Sequence, residues 1–337
     1  MNQDKYYEIA GELYNNKEYA RAIEILNKVH KKYPDDTDIL VLLAGCYIEI
    51  TRFLDAARIL LIAAKIEPNE PIILYNLGYA LLCSGRLDDA YKYFEKCLEL
   101  NPPKEIKKMV QKMLKEKDYF KKNLDVNGCS TLEEEFEVYD DFIKAQEFLY
   151  SGKYDKSILL YNRILEVNPN HYQSIQNIGT AYILQNQPEK ALPYFEKSNN
   201  LHPTDNLGIA NLAYAYYKIG NIEKSDSYIK ELESKIDKPI LRDLIRIITI
   251  LIEIKEYNLA RKLIEESEYK NPQIVFFSGV LHALKKEYPE AKARFKMLSP
   301  ISFIAHKYYE AVCLLENEKI TEYSFEPKII ESTIDML

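Results

Sequence analysis

The chain has 337 residues, 47% of them hydrophobic, a size that suits two compact domains or one extended repeat array. With 52 acids against 45 bases the net charge is −7, which argues against a general nucleic-acid role. Only 10 glycines, and no Gly-Gly or Asn-Gly turn between alternating runs, argue against a sheet protein; Asn127-Gly128 sits in a polar stretch.

A period of 34 residues organises the chain. It is clearest over residues 172–205, where Gly179 is eighth, Ala191 twentieth, Phe195 twenty-fourth and Pro203 thirty-second. Each period predicts two antiparallel helices, A and B. Small residues at positions 8 and 20 let the helices approach closely, and large residues at 4, 11 and 24 fill the space beside them. Proline at 32 stops helix B, because it lacks an N–H and disfavours helix just before itself.

In chain order, repeat 1 covers residues 3–36, with Ala10, Leu13, Ala22 and Leu26 in register. Repeat 2 covers 37–70, with Leu43, Ala44, Ala56 and Leu60, and repeat 3 covers 71–104, with Leu77, Gly78, Ala90 and Phe94. The period then lapses. Residues 104–122 place Ile106, Met109, Val110, Met113, Leu114 and Phe120 on one stripe, with eight lysines against three acids elsewhere, and predict a solvating helix that closes the first array. Residues 123–131 are expected to be a linker, and Thr131 with Glu134 reads as a capping box. Residues 125–141 hold seven acids and no base, so this stretch and the basic helix are expected to be two solvated faces rather than partners.

A second array of five repeats is expected over 132–317. Repeat 4 has Lys144 at position 7 and fits from Ala145 to Pro169; repeat 5 is the 172–205 period. Repeat 6 has Ser225 in place of alanine at position 20. Repeat 7 runs from Leu241 to about Pro272, and Ile248 at its eighth position predicts a wider or shifted helix pair. Repeat 8, with Gly279, Ala291 and Phe295, is expected to have a shortened first helix. Residues 301–316 predict a capping helix, and 318–337 a tail with a short helix near 329–336.

Little in the chain points to catalysis. The histidines His30, His171, His202, His282 and His306 have no metal-ligand spacing, no phosphate-cradling glycine loop is present, and His282 falls on a packing position. No cofactor and no metal are expected. The five cysteines form no CxxC pair, the N-terminus has no basic lead or apolar core, and the longest apolar run, 244–252, is too short to span a bilayer. A cytoplasmic protein without an integral membrane segment is the expectation.

Over nearly its full length the period resembles the tetratricopeptide repeat (TPR) family. That resemblance implies an all-α, right-handed superhelix of about eight helix pairs, and a non-catalytic role in binding a partner protein as adaptor, co-chaperone or scaffold. In this family the concave groove is lined by helix A positions 2, 5, 6, 9 and 12. In the first array these include Asp4, Tyr7, Glu8, Asp38, Val41, Leu42, Ile72, Tyr75, Asn76 and Tyr79, an apolar and aromatic surface with acidic edges. In the second they include Gln173, Asn177, Thr180, Asn211, Tyr214, Arg242 and Arg246. Asn177 and Asn211 suit a peptide backbone, and Arg242 with Arg246, four apart, suit a carboxylate. That set is similar to the carboxylate clamp of co-chaperone TPR domains, from which it departs by Gln173 at the first lysine position and Arg242 at the second. Residues 6–100, with Gly45-Cys46-Tyr47 and Glu70-Pro71, are also similar to the three-repeat chaperones of type III secretion, which implies an apolar secreted client.

Overall fold

The computed structural model describes residues 3–116, 131–236, 239–268, 271–300, 302–323 and 325. Among these the chain forms 18 α-helices and no strand. All but Thr131 of the predicted linker over 123–131, and the predicted helix over 329–336, lie outside the described residues, as does Phe120. The chain divides into two compact units, Met1–Tyr139 and Asp140–Leu337.

The first unit stacks three helix pairs: α1 (Gln3–Asn15) with α2 (Tyr19–Lys32), α3 (Thr37–Glu49) with α4 (Phe53–Ile66), and α5 (Pro71–Cys83) with α6 (Leu87–Glu99). Helix α7 (Lys104–Lys115) packs on α5 and α6, burying Val110 fully and leaving all five of its lysines exposed. Met109, placed on the apolar stripe by spacing alone, is 48% exposed. The stripe is therefore narrower than predicted.

The boundary between the units falls inside α8 (Leu132–Tyr150). Its capping box forms as expected: Glu134 N donates to Thr131 Oγ1 at 3.1 Å, and Thr131 N donates to Glu134 Oε2 at 3.3 Å. The solvated acidic face expected here holds for Glu133, Glu137 and Asp140, which are exposed, but not for Glu135. Glu135 is buried and lies 3.7 Å from Arg86, the Arg58 guanidinium sits 4.7 Å from the Phe136 ring centroid, and Tyr139 donates to Asp55 at 2.7 Å. At that one position a buried carboxylate lies beside an arginine instead of in solvent.

The second unit continues from α8 through α9 (Tyr154–Val167), then α10 (Tyr172–Leu184) with α11 (Pro188–Leu201) and α12 (Asn206–Lys218) with α13 (Ile222–Lys235). It closes with α14 (Leu241–Glu253) and α15 (Tyr257–Glu266), α16 (Pro272–Leu284) and α17 (Tyr288–Leu298), and the capping helix α18 (Phe303–Glu316). The A helices α12, α14 and α16 also touch one another along the stack. Phe276, Phe295, Tyr308, Tyr323 and Phe325 form an aromatic cluster that seals the last pair.

The eighth repeat corrects an expectation. Its first helix, α16, is 13 residues long, the same as α10, α12 and α14. Pro272 opens this helix in its first turn instead of ending the repeat before, a position where its missing N–H has no partner to lose. The short element is α15, with 10 residues, and it touches α14 less extensively than α11, α13 and α17 touch their partners. Ile248, fully buried at the usual small-residue position, stands at that pair.

Two positions explain why the period is kept. At position 8, Gly78, Gly179 and Gly279 each face a phenylalanine at position 24. At the turn between helices A and B, the chain takes a left-handed residue every time: Lys17, Thr51, Gly85, Gly152, Asn186, Gly220, Lys255 and Lys286. Where position 20 is serine, the hydroxyl spans the helix pair. Ser157 donates to the Ala145 carbonyl at 2.8 Å and Ser225 to that of Ala213 at 2.9 Å, so a buried polar group is satisfied.

Candidate functional site

In the first unit, α1, α3 and α5 lie side by side and enclose a groove of about 640 Å³. Tyr7, Asp38, Val41, Leu42, Gly45, Ile72, Tyr75, Asn76 and Tyr79 line it, together with Tyr14, Ile48, Glu49, Glu67 and Glu70. Tyr75 and Tyr79, one turn apart on α5, stack with centroids 6.4 Å apart. Tyr7 and Ile72 are largely open to solvent. Along the rim, Glu49 accepts from the hydroxyls of Tyr14 (3.5 Å) and Tyr19 (3.2 Å), Glu67 accepts from Thr37 (2.5 Å), and Glu70 accepts from the Ile72 amide (3.2 Å). Burial, followed by the Asp38 and Asp36 carboxylates, pushes the Tyr7 phenol above its ordinary pKa; burial and Glu49 do the same to Tyr14.

Glu67 and Glu70 come from the turn between repeats, outside the helix A positions, so periodicity alone does not single them out. Tyr14 and Ile48 occupy position 12 of their helices and follow from the same rule as the rest.

In the second unit the sequence-predicted residues are placed unequally. Gln173 and Arg242 are exposed, and Arg242 Nε donates to Asp243 at 3.3 Å. Asn177 is half-buried, its Nδ2 donating to the Tyr161 hydroxyl at 3.0 Å. Tyr214 is buried and its hydroxyl donates to Glu253. Asn211 is 4% exposed, and its Nδ2 has no hydrogen-bond partner. Arg246 reaches from α14 across to α10, where Nη2 donates to Thr180 Oγ1 at 3.1 Å; Thr180 in turn donates to the Gln176 carbonyl at 3.0 Å. Arg242 and Arg246 thus engage different partners. Among the described residues Arg246 makes no ion pair, and burial lowers its pKa from the ordinary arginine value, opposed by Tyr150 and Asp243.

A buried polar network beside it gave no sequence signal. Tyr172 and Gln176 both donate to Asp205 Oδ2, and the same oxygen caps α12 by accepting from Gly208 N at 2.7 Å. Asp205 is therefore spoken for by the fold. His282, read as a packing residue, pairs with Glu287 at 2.5 Å, and Glu287 also accepts from Arg261 at 2.7 Å.

Among the described residues no group of three or more His, Cys, Asp or Glu side chains is placed to hold a metal ion. No described helix is long and apolar enough to cross a membrane. Cys46, Cys83, Cys97 and Cys313 are free thiols, and burial pushes Cys46 up to about 11.

Models of the tetratricopeptide repeat match residues 13–74, 71–103 and 144–205. The chain is 25% identical over 257 residues to a TPR repeat-containing protein of Methanocaldococcus jannaschii, covering 67% of this chain and 43% of that one. It is 23% identical over 240 residues to the DnaJ homolog subfamily C member 3 homolog of Dictyostelium discoideum, covering 62% and 47%. The chain thus spans less than half the length of these curated relatives. Among solved structures it is similar to the TPR domain of P58(IPK), at 18% identity with a TM-score of 0.34, over 93% of this chain and 88% of that one.

Proposed function

The chain belongs to the tetratricopeptide repeat family, and from that premise we propose that it is a non-catalytic interaction module holding an extended or helical segment of a partner protein. The observation that carries this reading is the first-unit groove, about 640 Å³, lined by consecutive A helices of three repeats and floored by Tyr75, Asn76 and Tyr79. Such a surface offers apolar and aromatic contact together with a side-chain amide that can pair with a peptide backbone. An adaptor, co-chaperone or scaffold role in the cytoplasm fits this use.

The helix A face of the second unit is a second candidate contact, favoured by the guanidinium of Arg246. It is partly desolvated, holds only a hydroxyl among the described residues, and has donors to spare for an acidic group of the partner. Asn177, Thr180, Asn211, Tyr214, Gln173 and Arg242 flank it in this reading.

The test is affinity capture from native lysate with the full chain and with a Tyr75→Ala, Asn76→Ala, Tyr79→Ala variant of unchanged circular dichroism. A partner held by the parent and lost by the variant supports the groove. Equal capture by both would remove the first unit from the reading.

A further inference from the structure

We propose that the first-unit groove selects a partner segment carrying lysine or arginine beside its apolar residues, a cationic amphipathic peptide; this rests on the groove reading above. The lining contains four carboxylates, Asp38, Glu49, Glu67 and Glu70, and no lysine, arginine or histidine. Among the described residues none of the four makes an ion pair. Three of them hold only hydroxyls or a backbone amide (Glu49 with Tyr14 and Tyr19, Glu67 with Thr37, Glu70 with the Ile72 amide), and Asp38 is exposed at the first turn of α3.

Elsewhere in the unit some acids are matched with bases at short range: Arg21 with Glu18, Lys28 with Glu24, Arg52 with Asp55, and Arg86 with Asp89. The four acids of the groove share one concave wall without such a match among the described residues, so their charges add. A concave wall of one sign focuses its field and raises the local concentration of an oppositely charged ligand. Burial first, and then Asp38 and Asp36 for Tyr7 and Glu49 for Tyr14, push these two phenols up.

Between the carboxylates the floor is Tyr75, Tyr79, Val41, Leu42 and Ile72, which takes apolar side chains. The phenol faces also accept a cation, adding to what the carboxylates supply. A neutral apolar segment would bury this floor but leave four carboxylates in a drier setting without partners, which is costly. An acidic segment would add like-charge repulsion. Lysine or arginine at the segment's edges removes both penalties, and this selects by charge as well as by shape.

The test is selection of a random 12-residue phage-displayed peptide library on the full chain, followed by fluorescence anisotropy of the selected peptides as synthetic probes. Each is measured against the parent, against Tyr75→Ala, Tyr79→Ala, and against Asp38→Asn, Glu49→Gln, Glu67→Gln, whose near-isosteric changes keep the hydrogen-bond acceptors. The expected result is that tyrosine-dependent peptides are enriched in Lys and Arg over Asp and Glu. Their affinity should fall at least tenfold on carboxylate neutralisation, and also between 50 and 500 mM salt, since exposed charges are screened. Tyrosine-dependent peptides with no basic enrichment and no loss on neutralisation would overturn the charge selection while leaving the groove reading standing. Absence of any tyrosine-dependent peptide would overturn both. Self-association of the chain that basic peptides fail to displace would give the groove to a second copy and overturn the proposal.

Discussion

Phe195 lays its ring where a Cβ on Gly179 would stand: Cε1 is 2.5 Å and Cζ 2.9 Å from that point, against the roughly 3.5–4.0 Å of a comfortable carbon contact. The same relationship joins Phe94 to Gly78 and Phe295 to Gly279. Helix A thus offers bare backbone at this point, and the phenylalanine ring of helix B fills the space between the two helices.

Gly179→Ala should therefore destabilise the second unit. Overpacking a full core costs about 1–3 kcal/mol, partly offset by the roughly 1 kcal/mol gained when alanine replaces glycine inside a helix. A net loss of about 1 kcal/mol in urea unfolding is expected, and Gly179→Ala with Phe195→Leu should recover part of it. If the double variant is no more stable than the single, the ring is not the obstacle.

At position 20 the prediction depends on shape. Ser225→Ala removes one hydrogen bond to a carbonyl that already serves its helix, and should cost about 1 kcal/mol or less. Ser225→Leu adds bulk between α12 and α13 and should cost about 1–3 kcal/mol. Thermal melts of the two variants that coincide would argue against a close approach there.

Arg86 is 13% exposed at the side chain and lies between Asp89, at 2.5 Å, and the buried Glu135, at 3.7 Å. Arg86→Met removes a cation beside the buried Glu135, and breaking a buried pair costs up to about 3–5 kcal/mol. Adding Glu135→Gln should return a large part of that. The first-unit transition in chemical unfolding is the readout; an unmoved midpoint would mean that Glu135 finds water or another partner.

The same cluster sets an acid dependence. Burial works to raise the Asp89 pKa, but the hydrogen bonds from Arg86 and Lys92 outweigh it, and the folded value lies below the ordinary 3.8. A depressed carboxylate contributes stability that is fully present above its unfolded pKa and is lost as pH falls through the folded one. Asp89→Asn should therefore flatten the stability profile below about pH 3.8 and lower the plateau above it. A profile parallel to the parent's across that range would contradict the assignment.

Thr51 is a β-branched residue held at φ 61° in the turn between α3 and α4. The left-handed region costs a residue with a Cβ about 1–2 kcal/mol, whereas asparagine tolerates it. Thr51→Asn should raise stability by about 1 kcal/mol in urea unfolding. Thr51→Gly should gain less, because glycine gives back about as much in unfolded-chain entropy. Destabilisation by both would show that the threonine side chain does more than occupy the turn.

The features legible in the sequence are those fixed by the period alone. Gly179, Ala191 and Phe195 follow from it, as do Tyr75, Asn76 and Tyr79, because helix A faces repeat with the helix. The capping box at Thr131 is equally local. Glu135 was not legible: an acid-rich stretch reads as solvated until Arg86, 49 positions earlier, is seen to face it. The place of Glu67 and Glu70 in the groove is not legible, because they enter it from turns, where side-chain direction does not follow the helical repeat. The apparent shortening of the eighth repeat arose from Pro272, which satisfies the end of one repeat and the start of the next equally well. Only its hydrogen bonding separates the two roles. The Thr180 partner of Arg246 depends on how far α14 stands from α10, a distance set by the stacking of whole helices.

That bond has a mechanical meaning. In a stack of repeats each module touches its neighbours, so bending is shared out hinge by hinge. The link from Arg246 to Thr180 skips a repeat, joining the fifth to the seventh over the sixth. It ties the fifth and seventh repeats together on one side, so a bend that opened that side would have to break it. A ligand that drew Arg246 away would remove that tie, leaving the sixth repeat held by its packing alone.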